Sequence, residues 1–214
     1  MSGELQAIGV RHGTDKSQHS FLGKTYLDIY ENYFCSRRGG PIKLLEIGCK
    51  DGASLRMWKE YFHQGKIYSI DIDPESKKHE QENIKVFIGS QDSGSTVASA
   101  CLDAGDFDAI LDDGSHVNTL TIASFKLLWP KLKVGGIYVI EDLGCSYEAL
   151  QDLHDIRNTW PGMKHNSPWV DLNNRRETMN LFFERLLEEM DHLRGEIFSI
   201  HFYARMCFII KGAG

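Results

Sequence analysis

The chain has 214 residues, 42% hydrophobic and 25% charged, with a formal net charge of −6 and a pI near 5.8. That length supports one well-buried core, and the acidic balance argues against a nucleic-acid partner, because nucleic-acid binders concentrate positive charge. No apolar run approaches the length that crosses a bilayer, so neither membrane insertion nor disorder is expected.

The opening MSGELQAIGVRHGTDK lacks the basic-then-apolar pattern of a signal peptide, which predicts a cytoplasmic protein. Five cysteines, at 35, 49, 101, 145 and 207, show no CxxC spacing. Reduced thiols are expected rather than a disulfide frame or a zinc site. A small molecule or a neutral glycan is the partner class that remains.

In chain order, FLGKTYLDIYENYF, from about 20 to 35, has aromatic and aliphatic residues at helical spacing and predicts an amphipathic helix whose aromatics serve the core. IKLLEIG (42–48) predicts a fully buried strand, followed by a glycine-bearing turn and a helix from about 54 to 62. KIYSIDID (66–73), IKVFIG (84–89), FDAILDD (107–113) and GIYVIED (136–142) predict four more strands. Helical stretches are expected between them near 75–82, 93–103 and 117–128. Continuous apolar strands alternating with helices call for a doubly wound parallel sheet. EIFSIHFY (196–203) and RMCFIIK (205–211) are separated by almost nothing, which permits only antiparallel pairing. The expected fold is α/β, a Rossmann-like, mostly parallel seven-stranded sheet with an antiparallel last strand, in topology the layout of class I methyltransferases. One domain spans 1–214, with an N-terminal helical cap over about 1–35. An irregular insertion at about 144–175 reads either as a lid over an acceptor or as a pinned surface loop.

The turn in LEIGCKDGASL brings Glu46, then Gly48 and Gly52, to the head of a helix, where glycines let backbone approach a ligand and free N–H groups face it. Its G-x-x-x-G spacing differs from the G-x-G-x-x-G that wraps a dinucleotide, so an adenosine-bearing ligand without phosphates is expected. Asp71, at the end of the second strand, stands where acids of such folds grip ribose hydroxyls. Gln91 and Asp92 offer hydrogen bonds to an adenine edge, although Asp and Ser at that point are also ordinary helix caps.

Asp112 and Asp113 end one strand, and Glu141 and Asp142 end its expected neighbour. Clustered carboxylates repel, and a hard divalent cation such as Mg2+, which takes oxygen ligands and keeps positions open, answers that repulsion. The ligands are read as Asp113, Glu141 and Asp142, with Asp112 facing the nucleotide. The competing reading is that these acids are caps and structural ion pairs, or that one of each pair serves the ligand. His116 follows Asp113 by three residues, and its imidazole is suited to take a proton near neutral pH. His201 is expected to be a buried strand histidine.

Taken together, HGTDK (12–16), LEIGCKDGASLRMWKEYF, YSIDIDP, IGSQ, FDAILDDGSH, GGIYVIEDL and SIHFY resemble the metal-dependent sugar O-methyltransferases that act on macrolide sugars and on rhamnose. That resemblance implies S-adenosylmethionine as methyl donor, Mg2+ on Asp113, Glu141 and Asp142, and His116 as general base. It also implies that Thr14 and Lys16 contact the cofactor, and that the acceptor is a sugar, free or within a glycan. The assembly it leaves open is a homo-oligomer or a module of a larger glycan-assembly protein. Two alternatives are a methyltransferase for catechol-like phenols and a hydroxylase or oxidoreductase on the same fold. GCSY after the last IED, and Ala204-Arg205 after SIHFY, depart from the family's pattern.

Overall fold

The computed structural model describes residues 3–146 and 176–214. An N-terminal layer comes first: helix α1 (Glu4–His12), a hairpin of β1 (Ser20–Phe21) and β2 (Lys24–Thr25), and helix α2 (Tyr26–Phe34). The helix expected from about residue 20 therefore starts six residues later. Leu22 and Gly23 both take left-handed backbone, which reverses the chain into a hairpin, and Thr25 with Asp28 then forms a capping box that starts α2.

The main sheet follows, with β3 (Lys43–Ile47), β4 (Lys66–Asp71), β5 (Ile84–Ile88), β6 (Phe107–Asp112), β7 (Leu132–Ile140), β8 (Ile197–Tyr203) and β9 (Met206–Lys211). Its order is β5-β4-β3-β6-β7-β9-β8. Pairings from β5 to β7 are parallel, and β9 runs against both β7 and β8. The seven strands and the antiparallel hairpin at the end match the expected layout. β7 starts four residues earlier than its apolar core suggests, with a register shift before Ala109 opposite it. The stretch near 75–82 is a short 3-10 turn, Pro74–His79, rather than an α-helix. The connecting helices are α3 (Ala53–Tyr61), α4 (Gly94–Ala104) and α5 (Asn118–Leu128). A helix α6 (Arg176–Asp191), not anticipated from the sequence, precedes β8. From 147 onward, the insertion expected at about 144–175 lies outside the described residues.

Strand side chains alternate between two cores. Leu44, Ala109, Leu111, Val139 and Phe208 join the side chains of α1, α2 and α3 on one face. Leu45, Ile47, Ile110, Tyr138 and Ile140 join α4, α5 and α6 on the other. The same alternation sorts the polar residues at the strand tips: Glu46 shares the face of Leu44, and Asp112 shares that of Ile110. No described helix is long and apolar enough to cross a membrane.

Gly48 closes the β3 tip against the turn after β6. Its φ is +79°, and a Cβ there would sit 2.4 Å from the Asp113 carbonyl oxygen. Gly48→Ala is expected to cost about 2 kcal/mol or more in urea unfolding, from left-handed strain plus displaced backbone. Gly94→Ala, whose Cβ meets nothing within 4 Å, should stay within about 0.5 kcal/mol of the parent. Equal losses in the two variants would show that close approach at Gly48 is not a constraint.

Candidate active site

Both halves of the predicted site open on one cavity of about 1030 Å³ at the carboxyl ends of the parallel strands. Its floor is the β3 turn with Gly48, Cys49 and Lys50, and its far wall carries Asp71 and Gln91. Its near wall carries Thr14, Lys16, Asp113, His116, Glu141 and Asp142.

The acid cluster is organised by a lysine. Lys16 is 2% exposed, and its Nζ donates to Asp113 Oδ2 at 2.5 Å and to the two Glu141 oxygens at 2.8 and 2.9 Å. Glu46 Oε1 lies 3.3 Å from the same nitrogen. Burial alone would lower the lysine pKa, but Asp113, Glu141 and Glu46 outweigh it and hold the ammonium well above its ordinary range. One ammonium does not satisfy three acids. Burial, reinforced by Asp113, pushes Glu141 well above the carboxylate range, and desolvation also raises Asp113 against the pull of Lys16. Burial pushes Glu46 up to about 7.

Helix α2 supplies further partners. Tyr30 Oη donates to Glu141 Oε1 and Tyr26 Oη to Asp142 Oδ1, each at 2.6 Å. Ser54 Oγ, in the first turn of α3, donates to Glu46 Oε2 at 2.8 Å. Sequence reading assigned the α2 aromatics to the core alone. Buried tyrosine hydroxyls require partners, and two tyrosines one helical turn apart were the available signal.

His116 and Asp142 both take left-handed backbone, with φ +56° and +51°. Such backbone is uncommon outside glycine and collects at functional sites. Strand alternation would carry Asp142 to the face of Ile140; the left-handed turn brings it to Tyr26 instead. His116 Nε2 then lies 3.7 Å from Asp142 Oδ2 and 3.9 Å from Asp113 Oδ1. One donor atom each from Asp113, His116 and Asp142 fits within 4.8 Å.

Several expected cofactor contacts have a different placement. Asp112, expected to face the nucleotide, lies outside the cavity lining: it accepts from Ser124 Oγ at 2.6 Å and Tyr138 Oη at 3.2 Å beneath α5, and burial pushes it up to about 6. Adjacent strand residues point to opposite faces, which is how Asp112 and Asp113 avoid one another. Gln91 lines the cavity, but its amide is engaged with Ser115 N, Ser124 Oγ and Asp112. Asp92 is exposed, accepts from Ser90 Oγ and does not line the cavity. Gly52 also lies outside the lining, packed so that a Cβ would meet His79 at 2.6 Å. Glu46 serves the acid cluster rather than the cavity wall.

Asp71 does line the cavity, with Oδ2 accepting from Cys49 N at 2.8 Å and Lys50 N at 3.2 Å. It therefore holds the glycine turn in place at the cavity's edge. Thr14 is buried and lines the cavity. His201 is exposed rather than buried, and Tyr33 Oη lies 2.6 Å from its Nδ1.

Residues 45–143 match the family described as "Methyltransferase domain". Over 98% of its length the chain is 28% identical to the 8-demethyl-8-alpha-L-rhamnosyl tetracenomycin-C 2'-O-methyltransferase of Streptomyces olivaceus, covering 55% of that protein. It is 32% identical, over 86% of its length, to the demethylmacrocin O-methyltransferase of Streptomyces fradiae, covering 47% of that protein. The chain thus spans about half the length of these relatives. Among solved structures, MycE methyltransferase from the mycinamycin biosynthetic pathway, in complex with Mg, SAH and mycinamycin VI, superposes with a TM-score of 0.75 and 26% identity. That superposition covers 99% of this chain and 55% of MycE. Residues 45–143 thus carry the methyltransferase-domain match, on the fold of the class I Rossmann-like methyltransferases.

Proposed function

We propose that this protein is an S-adenosylmethionine-dependent, Mg2+-dependent O-methyltransferase acting on a sugar hydroxyl, with a deoxyhexose such as rhamnose in a glycoside as the acceptor class. The observation that carries this reading is the convergence of Asp113, Glu141, Asp142 and His116 at the rim of a cavity whose other end is the Gly48 turn and Asp71. The similar proteins support it, since their names describe O-methylation of a rhamnosyl tetracenomycin and of demethylmacrocin.

The residues fit a hard divalent ion. Carboxyl groups of Glu46, Asp113 and Glu141 share a single buried ammonium, Asp142 stands beside them with Tyr26 and His116, and Glu46 Oε1 accepts no hydrogen bond. Oxygen donors of this kind select Mg2+ over softer metals. Asp113, Glu141 and Asp142 would hold the ion, with Tyr26 and Tyr30 fixing two of the three carboxylates from behind. S-adenosylmethionine supplies an electrophilic sulfonium methyl, and Mg2+ supplies Lewis acidity towards hydroxyl oxygens.

The chain's own part is to bind, orient and deprotonate. The Gly48 turn, held by Asp71, and Thr14 shape the cofactor end of the cavity. A sugar hydroxyl gives up its proton only far above neutral pH, so a base within reach is required. His116 Nε2 takes that proton as the oxygen forms its bond to carbon and the carbon–sulfur bond breaks. Asp113 and Asp142, both within 4 Å of that nitrogen at 3.9 and 3.7 Å, stabilise the imidazolium that results.

His116→Ala is expected to lower turnover by about 10²–10⁴-fold while leaving S-adenosylhomocysteine affinity unchanged by calorimetry. A variant with full turnover would remove the base assignment. Asp113→Asn and exhaustive dialysis against a chelator should each abolish methyl transfer, and Mg2+ should restore it only in the dialysed parent. The acceptor class is read from transfer of radiolabelled methyl to a panel of rhamnosides, other deoxyhexosides and catechols. Labelling confined to catechols would replace the sugar reading with the phenol one, and calorimetric binding of NAD(H) in place of S-adenosylmethionine would replace both.

A further inference from the structure

Lys16 has no part in the chemistry above, yet it is the most enclosed cation of the site. Its ammonium engages both oxygens of Glu141 and one of Asp113, two of the three residues expected to hold the divalent ion. Glu46, held in turn by Ser54, closes the fourth side. The lysine reaches this position on a short 3-10 turn, Asp15–Ser17, in which Ser17 Oγ donates to the Thr14 carbonyl at 2.6 Å. A charged amine is costly to bury, and these contacts are the compensation for burying it.

We propose that Lys16 is a positioning residue that acts as a resident counter-cation, holding Glu46, Asp113 and Glu141 together before a divalent ion arrives and competing with that ion for the same oxygens. This inference rests on the metal reading of the preceding section. Two cations drawn to the same carboxylates also repel each other, so the lysine weakens divalent binding while it supports the metal-free fold. An unopposed set of acids would bind ions more tightly but would disorder without them. The site is thereby kept assembled and exchangeable.

The test uses Mn2+ as the probe ion, with affinity read by calorimetry and stability by thermal unfolding in chelator and in saturating Mn2+. In Lys16→Met, Mn2+ should bind roughly tenfold or more tightly, because a nearby like charge has been removed. The melting temperature in chelator should fall, and the rise produced by Mn2+ should exceed that of the parent. Lys16→Arg, which keeps the charge, should stay close to the parent in chelator. Should Lys16→Met fold only in the presence of Mn2+, that too is the expected behaviour carried to its limit. A second readout needs no variant protein for its effect: in ¹⁵N-lysine-labelled parent, the protected Nζ signal missing from Lys16→Arg should shift when Mg2+ is added. Parent protein that binds Mn2+, with unchanged affinity in Lys16→Met or an Nζ signal indifferent to Mg2+, overturns the role of Lys16 alone. Parent protein that binds no Mn2+ overturns the metal reading itself.

Discussion

The ion pair between Lys16 and the acids at the tips of β3, β6 and β7 is the constraint around which the rest of the molecule is arranged. Charges this deeply enclosed are tolerated only when they are paired and hydrogen-bonded. Lys16 meets Asp113 at 2.5 Å and Glu141 at 2.8 Å, Tyr30 adds a second donor to Glu141 Oε1, and Ser54 occupies the Glu46 oxygen that faces away from the lysine. Carboxyl oxygens outnumber the donors of the one ammonium that joins them, and a large cavity and an imidazole lie beside them. That combination is what separates this cluster from a set of helix caps.

The N-terminal layer belongs to the site as much as to the fold. α1 and α2 pack through Leu5, Ile8, Leu27 and Phe34 into the core on one face of the sheet, and that packing carries Lys16, Tyr26 and Tyr30 to the acids. Residues 97 to 125 positions apart thus meet at one point. The matched methyltransferase domain begins only at residue 45, so these contacts come from segments outside it. The layer that covers the sheet thus holds the acid cluster in position, while the sheet's own turns form the other end of the cavity.

Much of this was legible in the sequence, for identifiable reasons. Strands buried on both faces read as continuous apolar runs, so IKLLEIG, FDAILDD and GIYVIED announce themselves together with the acids at their ends. The tight spacing of the last two strands fixed their antiparallel pairing. What did not show was direction and long-range pairing. Nothing local reveals that Asp112 turns under α5 towards Ser124 while Asp113 turns to Lys16, although strict alternation along the strand made opposite faces the expectation. Gln91 and Asp92 were read as ligand contacts because they follow a strand end; Gln91 lines the cavity while tying the turn after β6 to α5, and Asp92 lies outside the lining. The hairpin before α2 hid within an aromatic-rich stretch because Leu22, rather than a second glycine, takes one of its left-handed positions.

Anomalous diffraction from crystals grown with Mn2+ and S-adenosylhomocysteine tests the central claim most directly. The expected result is a single manganese peak bounded by carboxylate oxygens of Asp113, Glu141 and Asp142, beside the cavity that holds the nucleoside. Ordered nucleoside with no manganese at those oxygens, or manganese only at surface acids, would contradict it.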